Sequence, residues 1–254
     1  MKIITFGSCL SRLTAQRYIR IFGGEVISSV FHNRSDCFLG RFVDRTESFI
    51  PYEDLLTMLV PASDEGGNPD DNSTRLVANQ YEQFLGLHRL TPGVQVFEAL
   101  QQPDVGLIIF DNFNDLRARM LRLKSNPNIQ VFLRPKDFKD PEAWELGPEL
   151  DPVEGAKAMS RILHLFKQLA PQAAVTFINL PHNTYSLRGG TSAKADQIIA
   201  YEQALDFDQG LIIPCAEIRP SQQTADPQHF TSDQYAAYAG WIQGYIASQK
   251  AAKS

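Results

Sequence analysis

The stretch Lys2-Ile3-Ile4-Thr5-Phe6-Gly7-Ser8-Cys9-Leu10-Ser11-Arg12 decides the fold of this chain. Residues 2–6 form a short β-branched and aromatic run, which is typical of a buried strand, and Gly7 interrupts it. Apolar residues then recur at helical spacing, at Leu10, Leu13, Tyr18 and Ile21. The chain therefore passes from a strand through a tight turn into a helix. In an open α/β sheet such turns lie at the carboxyl ends of the strands, where ligands bind.

Further apolar runs predict four more strands, at residues 25–30, 105–110, 174–180 and 210–213. A brief strand-like run also covers residues 129–133. Because the run at 105–110 is the most apolar, it is expected to be the central strand.

Helix signals fall between these strands, at residues 52–60, from Thr91-Pro92 to Gln102, from Asp151 onwards and from Thr231 onwards. The segment Asp151-Pro152-Val153-Glu154 resembles a capping box. Strands that alternate with helices imply one parallel sheet covered by helices on both faces. The predicted fold class is therefore α/β, a three-layer, flavodoxin-like sheet of five parallel strands.

The chain shows no internal repeat and no change of composition that marks a boundary, so a single domain over residues 1–254 is predicted. Inserted loops are expected near residues 61–75, 134–150 and 181–194. Residues 62–73 are rich in acidic residues, Gly, Pro and Asn, which is the composition of a solvated loop.

Composition limits the classes of partner. The net charge is −5 with 43% hydrophobic residues, and a mildly acidic protein is not expected to bind nucleic acid. No apolar run reaches the roughly 18–20 residues of a membrane span, and no signal-peptide pattern is visible. The three cysteines are odd in number and lack metal-site spacing. They predict reduced thiols, no metal site and a cytoplasmic location.

Residues that can carry chemistry follow the predicted strands. Cys9 lies at the amino end of the first helix, where N–H groups and the helix dipole favour a thiolate. Asn112 and Asn114 follow the third strand, and Asp226 and His229 follow the fifth. Nucleophilic acyl transfer needs a nucleophile, a base, a group that orients the base, and donors to the oxyanion. Cysteine, histidine, aspartate and asparagine can fill these roles in that order.

These residues resemble a known family. The segments F-G-S-C-L-S at 6–11, F-N-D at 113–115 and D-P-Q-H-F at 226–230 are similar, in order, to the blocks of the SGNH, or GDSL-type, hydrolase superfamily. The resemblance implies that Cys9 stands at the nucleophile position, Asn114 in the oxyanion hole, and Asp226 and His229 in the Asp-x-x-His block. Two departures are the cysteine itself and Asn112, which stands where the third block has a glycine.

The Gly-Ser-Cys block resembles bacterial branches of this superfamily linked to capsule and exopolysaccharide biosynthesis. The resemblance implies acyl chemistry on a small-molecule or saccharide substrate: transfer from a coenzyme A thioester to a sugar hydroxyl, or ester hydrolysis. Coenzyme A would be a co-substrate, with no permanently bound cofactor. The family's second block supplies a backbone oxyanion donor after the second strand, and here Ser35 and Gly40 both remain candidates. Arg188, before Gly189-Gly190, is a candidate for binding a cofactor phosphate.

Other interpretations of these residues stay open. Cys9 can be a small buried hydrophobic residue, and Ser8 is an alternative nucleophile. The histidine, aspartate and asparagines can be turn and loop residues without chemistry. At the level of function, the rivals are a non-catalytic sugar- or nucleotide-binding module and a redox-active protein that pairs Cys9 with Cys37. The oligomeric state is left open.

Overall fold

The computed structural model describes residues 1–60, 76–87, 93–184, 192–224 and 229–252. Its strands are β1 (Lys2–Gly7), β2 (Glu25–Phe31), β3 (Val105–Asp111), β4 (Leu121–Leu123), β5 (Asn126–Val131), β6 (Trp144–Leu146), β7 (Ala174–Ile178) and β8 (Leu211–Ile213). Five of them form a parallel sheet in the order β2-β1-β3-β7-β8. Numbered along the chain, these five strands have the flavodoxin-like order 2-1-3-4-5, so the predicted fold class is confirmed.

Helices form the outer layers. They are α1 (Cys9–Phe22), α2 (Ser35–Phe38), α3 (Tyr52–Met58), α4 (Val96–Leu100), α5 (Phe113–Arg117), α6 (Pro152–Leu169), α7 (Ser192–Ala204) and α8 (Ser232–Ala251). Helix α1 packs against α8, and α6 packs against both α2 and α7. The two groups sandwich the sheet and give the three predicted layers.

Aromatic side chains fill the core between the sheet and α6. The Phe6 ring lies 4.9 Å from that of Phe38 and 5.4 Å from that of Phe110, and Phe166 lies 5.2 Å from Phe110. Strand β3 occupies the middle of the sheet, as its apolar sequence predicts, because a strand covered on both faces needs apolar residues on both.

A second, antiparallel sheet was not predicted. It has the order β5-β4-β6 and its own hydrophobic cluster, in which Trp144 stacks 4.2 Å from Phe138. The sequence predicts only a brief strand at residues 129–133 and a loop near 134–150, whereas that loop contains β6. The three residues of β6, Trp-Glu-Leu, do not form an apolar run, and tertiary packing around Trp144 stabilises this strand.

Helix starts were predicted with mixed success. Asp151 Oδ1 accepts the N–H groups of Val153 and Glu154 at 3.0 and 3.1 Å, so α6 begins where predicted. Its capping-box assignment is wrong, because the Glu154 carboxylate pairs with Lys157 instead. Thr91 and Pro92 lie outside the described residues, and α4 begins later than predicted, at Val96, with Gln95 as its cap. Among the described residues, no helix is long and apolar enough to cross a membrane.

Candidate active site at the carboxyl edge of the sheet

The turn between β1 and α1 depends on a glycine. Gly7 has a φ of +140°, and a Cβ added there would lie 2.6 Å from Asp111 Cγ, closer than real side chains approach. Ser8 then caps α1, since its Oγ accepts the Leu10 N–H at 3.0 Å. Cys9 follows as the first residue of the helix, and its side chain is half-buried. The turn thus presents this cysteine at the edge where the strands end.

Asp111, the last residue of β3, holds this turn in place. Its buried carboxylate accepts four hydrogen bonds: from Ser8 N–H at 2.8 Å, Ser8 Oγ at 3.0 Å, Ser11 N–H at 2.9 Å and Phe113 N–H at 3.0 Å. The N–H groups at the start of α1 that would favour a thiolate are therefore largely engaged. Leu10 N–H binds Ser8 Oγ, Ser11 N–H binds Asp111, and Arg12 N–H binds the Ser8 carbonyl.

The two asparagines after β3 connect neighbouring strand ends. Asn114 Nδ2 donates to the Gly7 carbonyl at 2.8 Å and to the Asn33 carbonyl at 3.4 Å. Asn112 Nδ2 donates to Asn179 Oδ1 at 3.1 Å, and its Oδ1 accepts the Leu180 N–H at 2.8 Å. Both side chains are buried. Their amides bind protein groups in this state, and an oxyanion contact by either stays a prediction.

The two candidates for the second oxyanion donor differ in their surroundings. Ser35 donates its backbone N–H to Asp115 Oδ1 at 2.8 Å and its hydroxyl to the Gly155 carbonyl at 3.2 Å. Gly40 lies in a π-helical turn, Leu39–Val43, where an added Cβ would lie 2.8 Å from Glu47 Cγ. Ser35 therefore joins the start of α2 to α5 and α6, and Gly40 allows a close approach of the chain near Glu47.

A buried carboxylate lies behind this loop. Asp115 accepts the Tyr201 hydroxyl at 2.6 Å in addition to Ser35 N–H, and Tyr201 Oη lies 3.3 Å from the Gly155 carbonyl. Burial is the largest influence on Asp115 and raises its pKa to about 6, although both hydrogen bonds act in the opposite direction. This network joins α2, α5, α6 and α7 beneath the edge of the sheet.

Asp115 is expected to make the stability depend on pH. Because the folded protein binds this proton more tightly than the unfolded chain, its contribution to the free energy of unfolding falls as the pH rises from about 4 to about 6. The fall should be roughly 2–3 kcal/mol. In Asp115→Asn, which keeps an acceptor for Ser35 N–H, the fall should be absent. Urea unfolding of both proteins between pH 4 and 7 measures it, and a difference between them that stays constant with pH would contradict the assignment.

The residues of the predicted Asp-x-x-His block are only partly described. Asp226 and Arg188 lie outside the described residues. His229 is half-buried, and its carbonyl accepts the N–H and hydroxyl of Thr224 at 3.4 and 3.1 Å. Gln223 and Phe230 pair in an antiparallel bridge around it. His229 thus lies three residues before the start of α8, the helix that packs against α1.

The three cysteines have different environments. Cys37 is buried in α2, and burial raises the pKa of its thiol well above its usual range. Cys215 is half-buried and hydrogen-bonds Glu202; burial first, and then Glu202, raise its thiol pKa to about 12. Both are neutral thiols near pH 7 and therefore poor nucleophiles.

Two residues at this edge were not singled out by the sequence. His32 has a left-handed φ of +55°, and its backbone N–H donates to the Gly7 carbonyl at 3.0 Å. Its ring stacks on that of Phe132, with 4.9 Å between the ring centres, next to the small sheet. Arg12 Nη2 lies 3.8 Å from Cys9 Sγ, with its guanidinium 5.1 Å from the centre of the Phe31 ring. The spacing of three residues between Cys9 and Arg12 on a helix was the available signal.

Comparison with known proteins adds distant likenesses only. No family model and no curated protein matches the chain. One solved structure, a carbohydrate esterase family 2 enzyme plus carbohydrate-binding domain from Corynascus thermopiles (Myceliophthora fergusii), is 9% identical with a TM-score of 0.46. The alignment covers 97% of this chain and 65% of that enzyme's chain. An acetyl xylan esterase from the rumen bacterium Butyrivibrio proteoclasticus is 9% identical with a TM-score of 0.45, and the alignment covers 99% of this chain and 64% of the esterase.

This chain therefore spans slightly less than two thirds of the length of either esterase. Among the described residues, no group of three or more His, Cys, Asp or Glu side chains is arranged to hold a metal ion.

Proposed function

We propose that this protein is an SGNH-type acyl-transfer enzyme that uses Cys9 as its nucleophile. The observation that carries the proposal is the position of Cys9. It is a half-exposed thiol on the first residue of α1, in a turn that Gly7 and Asp111 hold at the carboxyl ends of β1 and β3. Open parallel sheets bind their ligands at this edge.

The reaction would take place in two steps. His229, oriented by Asp226, accepts the proton of Cys9, and Cys9 Sγ attacks the acyl carbonyl carbon. The bond to the leaving group breaks, the leaving group takes the proton from His229, and an acyl thioester remains on Cys9. A saccharide hydroxyl, or water, then gives its proton to His229 and attacks the thioester, whose carbon–sulfur bond breaks, and the released Cys9 sulfur takes that proton back from His229. Asn114 and backbone N–H groups of this edge would bind the oxyanion.

A thiol nucleophile suits a thioester donor, because the acyl-enzyme and the donor are then of similar energy. We therefore propose a coenzyme A thioester as co-substrate and a saccharide hydroxyl as acceptor, with ester hydrolysis as the alternative. A cytoplasmic location, where thiols stay reduced, fits this chemistry. Polysaccharide biosynthesis in a bacterium is the setting that the Gly-Ser-Cys resemblance implies.

The cysteine environments favour this proposal over a redox function. A pair of Cys9 with Cys37 requires Cys37 to react, yet Cys37 is 1% exposed and burial keeps its thiol protonated. Cys9 is instead half-exposed at the start of a helix. A binding module without turnover would need no nucleophile in this place, and it is distinguished by the experiment that follows.

The expected result is an acetyl adduct on the Cys9 peptide after incubation with acetyl-coenzyme A or with an activated acetate ester, measured by intact and peptide mass. The adduct should be absent in Cys9→Ala and should form about 100-fold more slowly in His229→Ala, since a general base contributes at least this much. Cys215→Ala is the matched control and should label normally, because Cys215 is half-buried like Cys9 but hydrogen-bonded to a carboxylate.

The acyl donor that labels Cys9 distinguishes a transferase from a hydrolase. Labelling by coenzyme A thioester favours a transferase, and labelling by the ester alone favours a hydrolase. If neither donor labels Cys9, and iodoacetamide also leaves Cys9 unmodified at neutral pH, Cys9 is not a nucleophile and the binding module becomes the better account.

A further inference from the structure

The guanidinium of Arg12 is close to the Cys9 sulfur. Arg12 follows Cys9 by three residues on α1, and its Nη2 lies 3.8 Å from Sγ, within the range of a sulfur hydrogen bond. The same guanidinium lies 5.1 Å from the centre of the Phe31 ring, at the end of β2. Arg12 is half-buried, so solvent screens its charge less than that of a surface arginine.

The N–H groups of the first turn of α1 already have acceptors within the protein. A helix amino end favours an anion through its N–H groups, and here those of Leu10, Ser11 and Arg12 bind the Ser8 hydroxyl, Asp111 and the Ser8 carbonyl. Asp111 is itself a carboxylate, and a second negative charge nearby is unfavourable. The guanidinium of Arg12, with Nη2 3.8 Å from the sulfur, is a cation placed to stabilise a thiolate at Cys9.

We propose that Arg12 is a positioning residue that pairs with the Cys9 thiolate and keeps it in its reactive form. This inference rests on the proposed nucleophilic role of Cys9 and names the group that supports it. Arg12 acts through the sulfur, and no bond to it forms or breaks. When Cys9 becomes an acyl thioester, the pairing is lost, and it returns when the thiolate leaves.

Phe31 explains why an arginine is suited to this position. The guanidinium is planar and weakly hydrated, so it can lie over an aromatic face while an N–H still points at the sulfur. A lysine carries the same charge but is a compact, strongly hydrated ammonium on a flexible chain. Lysine at position 12 should therefore recover only part of the effect.

Other charged or titratable groups lie on or beside the elements that pack against α1. Asp111 approaches from β3 and binds the turn. His32 follows β2, and its backbone N–H donates to the Gly7 carbonyl. His229 precedes α8, and its role as base is part of the proposed function. A carboxylate such as Asp111 disfavours a thiolate, whereas an arginine side chain is a permanent cation that favours it.

The test is the pH profile of Cys9 alkylation. Iodoacetamide labelling is followed by peptide mass between pH 5 and 10 in the whole protein and in Arg12→Met, Arg12→Lys and Phe31→Leu. Arg12→Met should raise the pH of half-maximal rate by about one unit or more, because a nearby opposite charge has an effect of this size. At a pH below both midpoints the rate then falls about tenfold. Arg12→Lys and Phe31→Leu should give smaller shifts in the same direction.

Arg20→Met is the matched control, because it removes the same charge from the exposed end of the same helix and should leave the profile unchanged. The proposal is overturned if Arg12→Met, with a native unfolding curve, keeps the original profile. If Arg12→Met does not fold, Arg12→Gln decides the question, because it also removes the charge, and an unchanged profile in that variant likewise overturns the proposal. Failure of the proposed function looks different: Cys9 then takes no acetyl group from either donor, whatever its alkylation profile.

Discussion

Asp111→Ala is expected to lower the free energy of unfolding by about 3–5 kcal/mol, because four buried or partly buried donors lose their acceptor together. The carboxylate joins the end of the central strand to the first turn of α1, so its loss also releases the turn that presents Cys9. Urea unfolding measures the stability, and acetylation of Cys9 measures the geometry of the turn. Both should fall in the same variant.

Two further variants define the effect. Asp111→Asn keeps the shape and one oxygen acceptor, and it should lose less stability than Asp111→Ala. Asp104→Ala removes a carboxylate from the opposite edge of the same sheet, where Asp104 is exposed and pairs with Lys2 at 2.9 Å. That variant should unfold almost as the original protein does, since surface ion pairs contribute little. A loss below about 1 kcal/mol in Asp111→Ala would mean that water replaces the carboxylate.

The parallel sheet was predictable because its signals are local. Each main strand is a short apolar run that a turn residue or a polar segment ends, and Asp151 and Thr231 mark helix starts in the sequence itself. Because β3 is buried on both faces, its sequence lacks polar alternation, and from this pattern it was correctly predicted to be the central strand. The small sheet escaped prediction because β4 and β6 are short and pair across some twenty residues, which no periodicity records.

Parts of the site were predictable only in position. A parallel sheet brings the residues after its strands to one edge, so Cys9, Asn112, Asn114 and Ser35 could be assigned there from the sequence. What each side chain binds depends on partners that are distant in the chain. Asp111 contacts a turn about one hundred residues earlier. No local pattern separates such an aspartate from an ordinary turn residue.

The same limitation affected the expected activation of Cys9. The strand–turn–helix pattern predicts unoccupied N–H groups at the start of α1, which is a sound inference for an isolated helix. In the folded chain Asp111 takes up Ser11 N–H, and Arg12 lies beside the sulfur instead. The position of the thiol was thus inferred from local signals, whereas the acceptor of the Ser11 N–H lies one hundred residues away in the chain.

Gly7→Ala is expected to destabilise the protein by about 2–4 kcal/mol and to disrupt the same turn. An added Cβ would lie 2.6 Å from Asp111 Cγ, and the φ of +140° is unfavourable for any residue with a Cβ. Crowding of this kind costs about 1–3 kcal/mol and the backbone conformation about 1 kcal/mol more. Urea unfolding again provides the measurement, with Cys9 acetylation as the second readout.

The double variant of Gly7→Ala with Asp111→Ala separates the cost of crowding from the cost of the backbone conformation. In an Asp111→Ala background the carboxylate is gone, so Gly7→Ala should cost only the backbone part, about 1 kcal/mol, and the two substitutions should be strongly non-additive. Gly240→Ala is the matched control on α8, where no heavy atom lies within 4 Å of the added Cβ. It should stabilise the helix by about 0.5–1 kcal/mol. Additive losses at positions 7 and 111 would show that Gly7 is required for its conformation alone, and that the carboxylate does not restrict the turn.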